Sequence, residues 1–187
     1  MNLPLHRSVL VIDVETTGFE STKNACVEVG AVLLDTQLEV AGEFCSLVQP
    51  WDGAEIVQDA MRVNGITQQM LAKAPSLQET VQKFHERFAA EPISPVIAGW
   101  NVWFDVGFLK DMYSRSRLAW PFGHRLFDVQ SVFAFCSGLA GYSQEKAIGQ
   151  VLGEKQVHRA LADASHTARI FRRLSSLQLE RLPQAEK

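Results

Sequence analysis

The stretch that decides the fold lies near the N-terminus and reads Val9-Leu10-Val11-Ile12-Asp13-Val14-Glu15-Thr16-Thr17-Gly18-Phe19. Its run of β-branched residues predicts a buried central strand. Because side chains alternate across a strand, Asp13 and Glu15 project from one face, about 6.6 to 6.8 Å apart along it. Two carboxylates in an apolar setting repel each other, and a bound Mg2+ or Mn2+ ion relieves that repulsion. The stretch therefore predicts a metal site, with the alternative that both residues only end a strand at the Thr-Thr-Gly turn.

The length and composition of the chain predict a single domain. With 187 residues, of which 47% are hydrophobic, the chain is long enough to bury a substantial core. We expect one domain over 1–187, with the core at about 8–176 and a short polar tail at 183–187. No apolar run is long enough for a membrane span, and the N-terminus lacks the pattern of a signal peptide. We therefore expect a cytoplasmic protein without a membrane segment.

The cysteines and the net charge restrict the chemistry. Cys26, Cys45 and Cys136 are widely spaced among apolar residues and form no C-x-x-C pair, so we expect three reduced core thiols. The formal net charge of −3 is unusual for a protein that binds nucleic acid. Two bound divalent cations would add four positive charges, which exceed the net charge of −3 and would lie where the phosphate of a substrate binds.

The next part of the chain predicts more strands and then helices. The runs Cys26–Leu34 and Glu39–Val48 predict a meander with the first strand. Within the first run we expect Glu28 to face the surface, with a position beside the site as the alternative. A helical pattern over Glu55–Val63 ends at Asn64-Gly65. Ser76 and Glu79 then form a capping-box pattern, followed by an amphipathic helix whose predicted buried face is Leu77, Val81, Phe84 and Phe88.

The second half alternates short strands with helices. Pro95–Trp100 predicts a buried strand, after which Asn101 is the predicted N-cap of a helix to about Tyr113. Asp105 falls in the first turn of that helix, where the helix dipole favours a carboxylate. Further elements are predicted as a strand at Arg125–Phe127 and helices at Asp128–Ser137, Ser143–Leu152 and Leu161–Ser176. This order predicts an α/β fold, with a mixed sheet between helices and ligands at the carboxyl ends of its strands.

His158 and Asp163 form a second candidate group. On one helix they would lie about 140° apart, because five steps of about 100° overshoot one turn. If His158 instead lies in the loop before the helix, both side chains can face one cleft. His166, three residues after Asp163, is a rival candidate, although a lone helical histidine is more often a packing or surface residue.

Four segments of the chain resemble the motifs of a known family. They are Asp13-Val14-Glu15-Thr16-Thr17-Gly18, Asn64-Gly65-Ile66, Asn101-Val102-Trp103-Phe104-Asp105-Val106-Gly107-Phe108-Leu109 and His158-Arg159-Ala160-Leu161-Ala162-Asp163-Ala164. In this order and spacing they resemble the DEDDh 3'-to-5' exonucleases, a group that includes polymerase proofreading subunits and ribonuclease T. The resemblance runs from about Val9 to Leu174. One departure is Trp100, at a position where many members have histidine; it leaves the catalytic set intact and puts local packing or substrate contact in doubt.

The resemblance implies a ribonuclease-H-like fold and a two-metal-ion mechanism. It assigns Asp13, Glu15, Asp105 and Asp163 as ligands of two Mg2+ or Mn2+ ions and His158 as the general base. The residues that it implies for holding the terminal nucleotide are Thr16, Thr17, Gly18, Phe19, Asn64 and Ile66, with Phe104 as an aromatic wall. For Phe104 a core position is an equal alternative.

The implied activity is removal of nucleoside 5'-monophosphates from the 3' ends of single-stranded nucleic acid. The choice between DNA and RNA stays open, because no residue identifies a contact to the 2' hydroxyl. A homodimer or an association with a polymerase is also open. The alternatives in other classes are a non-catalytic nucleic-acid-binding module and an endonuclease on the same fold.

Overall fold

A five-stranded mixed sheet forms the centre of the protein. The computed structural model describes residues 5–89 and 94–176, so the predicted polar tail at 183–187 lies outside the described residues. The strands are β1 (Val9–Thr16), β2 (Cys26–Leu34), β3 (Val40–Leu47), β4 (Val96–Gly99) and β5 (Leu126–Asp128). Their order in the sheet is β3-β2-β1-β4-β5. The pairs β1/β2 and β2/β3 are antiparallel, whereas β1/β4 and β4/β5 are parallel. The predicted meander is therefore confirmed.

Seven helices are present among the described residues. They are α1 (Gln58–Asn64), α2 (Gln68–Leu71), α3 (Leu77–Phe88), α4 (Val102–Arg115), α5 (Val129–Ser137), α6 (Gln144–Leu152) and α7 (Ala160–Ser176). The sequence patterns predicted all of them except the single-turn helix α2. Within the described part of the chain, none of these helices is long and apolar enough to cross a membrane.

The alternation of side chains along β1 produces two hydrophobic cores. Leu10, Ile12 and Val14 point to one face of the sheet, where they pack with buried residues of α3 and α4. Val9 and Val11 point to the opposite face and pack with residues of α5, α6 and α7. Helices therefore cover both faces, and β1 is buried on both sides, as its continuous apolar sequence predicts. Asp13 and Glu15 continue the face of Val9 and Val11, which is the face that α7 covers.

Helix α1 begins three residues later than the pattern predicts. The preceding residues are held in extended conformation, because the backbone N–H of Glu55 donates to Lys23 and that of Val57 donates to Thr17. These contacts tie the segment to the turn that follows β1, and they compete with the first helical turn. The predicted end is confirmed: Gly65 follows α1 with a φ of 66°, which suits glycine.

Helix α3 confirms the sequence pattern in detail. The backbone N–H of Glu79 donates to the Ser76 hydroxyl, and the Glu79 carboxylate accepts from the Ser76 backbone N–H at 2.9 Å. This reciprocal capping satisfies two groups that a helix start otherwise leaves without partners. The four predicted apolar residues, Leu77, Val81, Phe84 and Phe88, are all buried.

The cysteine prediction is correct for only one residue. All three thiols are free, and Cys26 is buried, but Cys45 is exposed and Cys136 is half-buried. Cys45 lies on β3, an edge strand whose side chains are mostly exposed or half-buried. The apolar neighbours of Cys45 in the sequence did not reveal this, because an edge strand is covered less completely than a central one.

Candidate active site

The two carboxylates of β1 face the N-terminus of α7. In the sheet, Asp13 pairs with Gly30 of β2 and Glu15 pairs with Glu28. Paired residues of antiparallel strands point to the same face, so all four positions lie under α7. The side chains of Asp13 and Glu15 are half-buried. This is the same-face arrangement that the alternation along β1 predicts.

Gly30 allows the backbone of α7 to approach the sheet closely. A Cβ atom at this position would lie 2.1 Å from the backbone carbonyl carbon of Ala160, a distance that no side chain can occupy. A glycine inside a strand often marks such a close backbone approach. Because Gly30 is the partner of Asp13, the first turn of α7 lies directly beside the carboxylates of β1.

Glu28 anchors the start of α7, and the prediction that it faces the surface is wrong. Its side chain is only 1% exposed and accepts hydrogen bonds from the Arg159 guanidinium and from the backbone N–H of Ala160, the latter at 3.0 Å. A buried carboxylate is stable only when it is paired and hydrogen-bonded, and here the helix start supplies both. The sequence pattern missed this contact because its partners lie more than 130 residues away in the chain.

Asp163 meets the β1 carboxylates from α7. Asp13, Glu15 and Asp163 each offer an oxygen atom, and these three atoms lie within 4.8 Å of one another. One oxygen of Asp163, Oδ2, accepts from the Gln156 side-chain amide at 2.9 Å. The other, Oδ1, is buried and has no hydrogen-bond partner among the described residues. Three converging carboxylates with one free buried oxygen fit a hard divalent cation, which takes oxygen ligands.

Asp105 approaches the same place from the opposite face of the sheet. It lies in the first turn of α4 and is 4% exposed. Its Oδ1 accepts a hydrogen bond of 3.0 Å from the backbone N–H of Val14, the residue between the two β1 carboxylates. The main chain of β1 therefore fixes Asp105 beside Asp13 and Glu15.

These acidic residues line one cleft of about 180 Å³ together with His158. The full lining is Asp13, Val14, Glu15, Trp100, Asn101, Phe104, Asp105, Gln144, Gln156, His158 and Asp163. His158 is half-buried, lies in the segment before α7 and has a φ of 54°. The structure thus brings together all five residues predicted to be catalytic, and their catalytic roles stay predictions.

The cleft strongly disfavours negative charge when it holds no cation. Burial raises the pKa of Glu15 to about 8, with a further contribution from the charge of Asp163. Burial also raises the pKa of Asp13 and the pKa of Asp105 well above their ordinary values, and neighbouring carboxylates add to both shifts. A bound divalent cation would reverse this effect, because opposite charge favours the ionised carboxylates.

The first group of predicted substrate residues lies in the turn after β1. Thr17 is fully buried; its hydroxyl donates to the carbonyl of Glu55 and accepts from the backbone N–H of Ala25. Thr16 is also buried and donates to the carbonyl of Gly18. Their side chains shape the turn, whereas Phe19 is 84% exposed. Contact of these residues with a nucleotide stays a prediction, and Phe19 is the side chain that is free to make it.

The second group supports this turn from α1. The Asn64 side-chain amide donates to the carbonyl of Thr16 at 3.3 Å, and its oxygen accepts from the backbone N–H of Ile66 at 3.0 Å. Ile66 packs in a small core with Val27 and Leu71. Phe104 satisfies both alternatives, since it lines the cleft and also packs on Phe108 with ring centroids 5.0 Å apart.

Asn101 occupies the predicted N-cap position of α4, but its side chain does not cap the helix. Its backbone is in the left-handed conformation, with a φ of 54°, and its side chain makes no capping hydrogen bond. The Asp128 carboxylate accepts from the backbone N–H of Val102 instead, at 3.4 Å. Asn101 is exposed and lines the cleft. The sequence could not show that Asp128 replaces Asn101 as the acceptor, because Asp128 lies on β5, 26 residues after Val102.

Sequence reasoning missed two glutamines of the cleft. The Gln144 amide donates to the backbone carbonyl of Asp163 and to the hydroxyl of Thr167. The Gln156 amide donates to Asp163 and to the oxygen of Gln144. Neither glutamine belongs to a motif: the packing of α6 against α7 brings Gln144 to Asp163, and the segment between these helices brings Gln156. Trp100 also lines the cleft, where it is buried against Phe133.

Comparison with protein families gives one match over most of the chain. The model of the RNase T family, described as exonuclease, matches residues 10–171. Ribonuclease T of Vibrio campbellii is 28% identical over 178 residues, which cover 87% of this chain and 82% of that protein. DNA polymerase III PolC-type of Thermotoga maritima is 28% identical over 183 residues, which cover 95% of this chain and only 13% of the polymerase.

Solved structures show the same fold. The nuclease domain of 3'hExo, a DEDDh family member bound to rAMP, superposes with a TM-score of 0.76 at 20% identity and covers 91% of this chain and 93% of that domain. The complex of E. coli exonuclease I with single-stranded DNA has a TM-score of 0.80 at 21% identity, with coverages of 92% and 41%. The predicted ribonuclease-H-like α/β fold is therefore confirmed.

Proposed function

Because this chain belongs to the RNase T family of exonucleases, we propose that it is a metal-dependent 3'-to-5' exonuclease that shortens single-stranded DNA or RNA. The observation that carries the proposal is the convergence of Asp13, Glu15 and Asp163, whose oxygen atoms lie within 4.8 Å of one another. Asp105 joins them in the same cleft. We propose these four residues as the ligands of two divalent cations, Mg2+ or Mn2+.

The bound cations would activate the attacking water and stabilise the charge of the scissile phosphate. The protein itself supplies the ligand geometry through its backbone. Asp13 and Glu15 are placed by the β1/β2 register, and Asp105 is held by the Val14 backbone N–H. These backbone contacts hold the three positions together, which favours a site preorganised for charge that develops during the reaction.

His158 is proposed as the general base. It lines the cleft beside the carboxylates, and histidine is the side chain that most often transfers protons in enzyme reactions. In the reaction the oxygen of water forms a bond to phosphorus, and the bond from phosphorus to the 3' oxygen of the preceding nucleotide breaks. The water proton passes to a ring nitrogen of His158. The products are a nucleoside 5'-monophosphate and a strand one nucleotide shorter.

The binding mode is proposed from two aromatic rings, one exposed and one half-buried. Phe19 is 84% exposed in the turn after β1, and Phe104 lines the cleft. Aromatic rings bind unpaired bases by stacking, which tolerates any base sequence. The relative named ribonuclease T supports RNA as the substrate, whereas the exonuclease I complex with single-stranded DNA supports DNA. We therefore propose single-stranded 3' ends without strong sequence preference and test both polymers.

A role within polymerase proofreading is the second candidate. Its support is the PolC-type relative, which matches 95% of this chain. Addition of a purified polymerase that raises exonuclease activity on a mismatched primer end would favour it. Self-association as a homodimer, the single-domain organisation and the cytoplasmic location stay predictions.

The test uses 5'-labelled single-stranded DNA and RNA oligonucleotides of matched sequence with Mg2+ or Mn2+. A one-nucleotide ladder is expected from the wild type and no ladder from Asp13→Asn. Asp52→Asn is the matched control, because Asp52 is an exposed aspartate outside the cleft. A strand with a blocked 3' end should resist degradation, and so should circular single-stranded DNA. Cleavage of the circle would identify an endonuclease, and no metal-dependent shortening of either polymer would contradict the proposal.

A further inference from the structure

The segment between α6 and α7 is attached to α7 by side chains on alternate residues. Gly153 ends α6 with a φ of 71°, and residues 154–158 lead from there to His158. Lys155 and Val157 are exposed. The two residues that alternate with them, Glu154 and Gln156, bond to side chains of α7. His158 therefore lies between these two attachments and the Glu28 anchor at Arg159 and Ala160.

The Gln156 attachment ends directly on Asp163. Its amide donates to Asp163 Oδ2 at 2.9 Å and to Gln144 at 3.1 Å. This contact holds one oxygen of the Asp163 carboxylate, which lies in the cluster with Asp13 and Glu15. It leaves Oδ1 without a partner among the described residues.

The Glu154 attachment reaches Asp163 through His166. Glu154 Oε2 lies 3.1 Å from His166 Nε2, and both carboxylate oxygens bond to the Arg169 guanidinium, at 2.7 and 2.8 Å. Hydrogen bonding to Arg169 lowers the pKa of Glu154 to about 2, so this carboxylate is an ionised acceptor and the His166 nitrogen is the donor. The other ring nitrogen, Nδ1, lies 3.5 Å from Asp163 Oδ1.

His166 thus fills the space between the segment and the carboxylate. Its side chain is 9% exposed, whereas Arg169, the other partner of Glu154, is 48% exposed. An exposed ion pair contributes little to holding a segment in place, because water and salt screen it. The buried ring of His166 contacts both Glu154 and Asp163. In a closely packed interior, a displacement of one of these residues is therefore transmitted to the other.

We propose that His166 is a positioning residue, which couples the segment that carries His158 to the orientation of Asp163. This inference rests on the proposed function only for the roles of His158 and Asp163. Arg169 adds to the attachment of Glu154, but it makes no hydrogen bond to Asp163 among the described residues and does not line the cleft. The sequence pattern favoured a packing role for His166, and its packing is what brings it into contact with the site.

The test compares His166→Leu with His166→Gln. Leucine fills the space but cannot bond to Glu154, whereas the amide of glutamine can donate to Glu154 in place of Nε2. Three quantities are measured: amide hydrogen exchange of residues 154–158 without metal, Mn2+ affinity by calorimetry, and kcat and KM on the labelled oligonucleotides. His85→Leu is the matched control, since His85 is a histidine of α3 that packs on Tyr113 away from the cleft.

For His166→Leu we expect faster exchange in residues 154–158 and Mn2+ affinity weaker by about 10- to 100-fold, the usual effect of removing an outer partner of a ligand. We expect kcat to fall while KM stays near the wild-type value, and His166→Gln to recover most of each loss. Glu154→Ala removes the other partner of the same hydrogen bond and should show the same changes. It therefore tests the proposal even if His166→Leu does not fold.

Wild-type exchange and Mn2+ affinity in both His166→Leu and Glu154→Ala would overturn the proposal. A loss of Mn2+ affinity with unchanged exchange would also overturn it, because the two effects must occur together. If the wild type degrades neither polymer, the proposed function fails, whereas exchange and Mn2+ binding still decide the role of His166.

Discussion

The two walls of the cleft are constructed in different ways. On one wall, Asp13 and Glu15 are positioned by backbone pairing of β1 with β2, and Asp105 is held by a backbone N–H of the same strand. On the other wall, the segment before α7 is attached through the side chains of Glu154 and Gln156. Main-chain positioning survives the replacement of single side chains, whereas side-chain attachment does not. The difference indicates a rigid wall that carries three of the proposed metal ligands and an adjustable wall that carries the proposed base.

The largest effect is expected from the rigid wall. Asp13→Asn removes a proposed ligand without changing the strand, so cleavage should fall by at least about 10³-fold, since metal ions contribute several kcal/mol of transition-state stabilisation. Without metal, the variant should be at least as stable as the wild type, because it removes a carboxylate whose pKa is raised by burial. Nuclease assays and thermal unfolding check both. Cleavage at the wild-type rate would contradict the assignment of Asp13.

A smaller loss of activity is expected from the adjustable wall. His158→Ala should lower kcat by about 10²- to 10³-fold, within the range of about 10²- to 10⁴-fold typical of general-base catalysis, and leave Mn2+ affinity unchanged. Single-turnover kinetics and calorimetry measure the two quantities. His124→Ala, at an exposed histidine outside the cleft, is the control. A parallel loss of Mn2+ affinity would show that His158 acts on the metal site and not as a separate base.

The two walls meet where the start of α7 packs on Gly30 of β2, and a substitution there should separate them. In Gly30→Ala the added Cβ meets the backbone of Ala160 at 2.1 Å, so α7 must shift away from the sheet. We expect a loss of about 1 to 3 kcal/mol in the free energy of unfolding, typical of overpacking, together with weaker Mn2+ binding. Denaturant unfolding and calorimetry test this.

Gly123→Ala serves as the control for this substitution, because an added Cβ there has no heavy atom within 4 Å. If Gly30→Ala retains wild-type stability and Mn2+ affinity, close approach of α7 at Gly30 is not required for the site.

The last prediction concerns pH and affects stability alone. Burial raises the pKa of Glu15 from 4.5 to about 8, so between these values the folded state holds a proton that the unfolded state has lost. Stability of the metal-free protein should therefore fall as the pH rises through this window, by about 2 to 4 °C in Tm for each kcal/mol lost. Saturating Mg2+ should reduce this slope, and Glu15→Gln should reduce it without metal. Thermal unfolding from pH 5 to 8 tests this, and an equal slope in all three samples would contradict it.

Local patterns predicted most elements, and the family resemblance of four motifs predicted the five proposed catalytic residues that line the cleft. The ends of α3 and α6 follow capping and glycine signals that lie within a few residues of each helix end. The predictions that failed involve distant partners. Glu28 is buried because Arg159 and Ala160 reach it, and α1 starts late because the turn after β1 holds the residues before it. A pattern that spans one element contains no information about such contacts.

The sequence by itself determined that Asp13 and Glu15 share a face, because the alternation of side chains along a strand is a local property. Its four motifs also predicted the family, which is confirmed by the match over residues 10–171. Only the tertiary structure decided how Asp163 reaches these carboxylates. In the structure, the close approach at Gly30 and the buried Glu28 place the start of α7 beside them, and His166 lies between Glu154 and Asp163. These contacts join residues from β2, the segment before α7 and α7 itself, and they form only when the chain closes its core around β1.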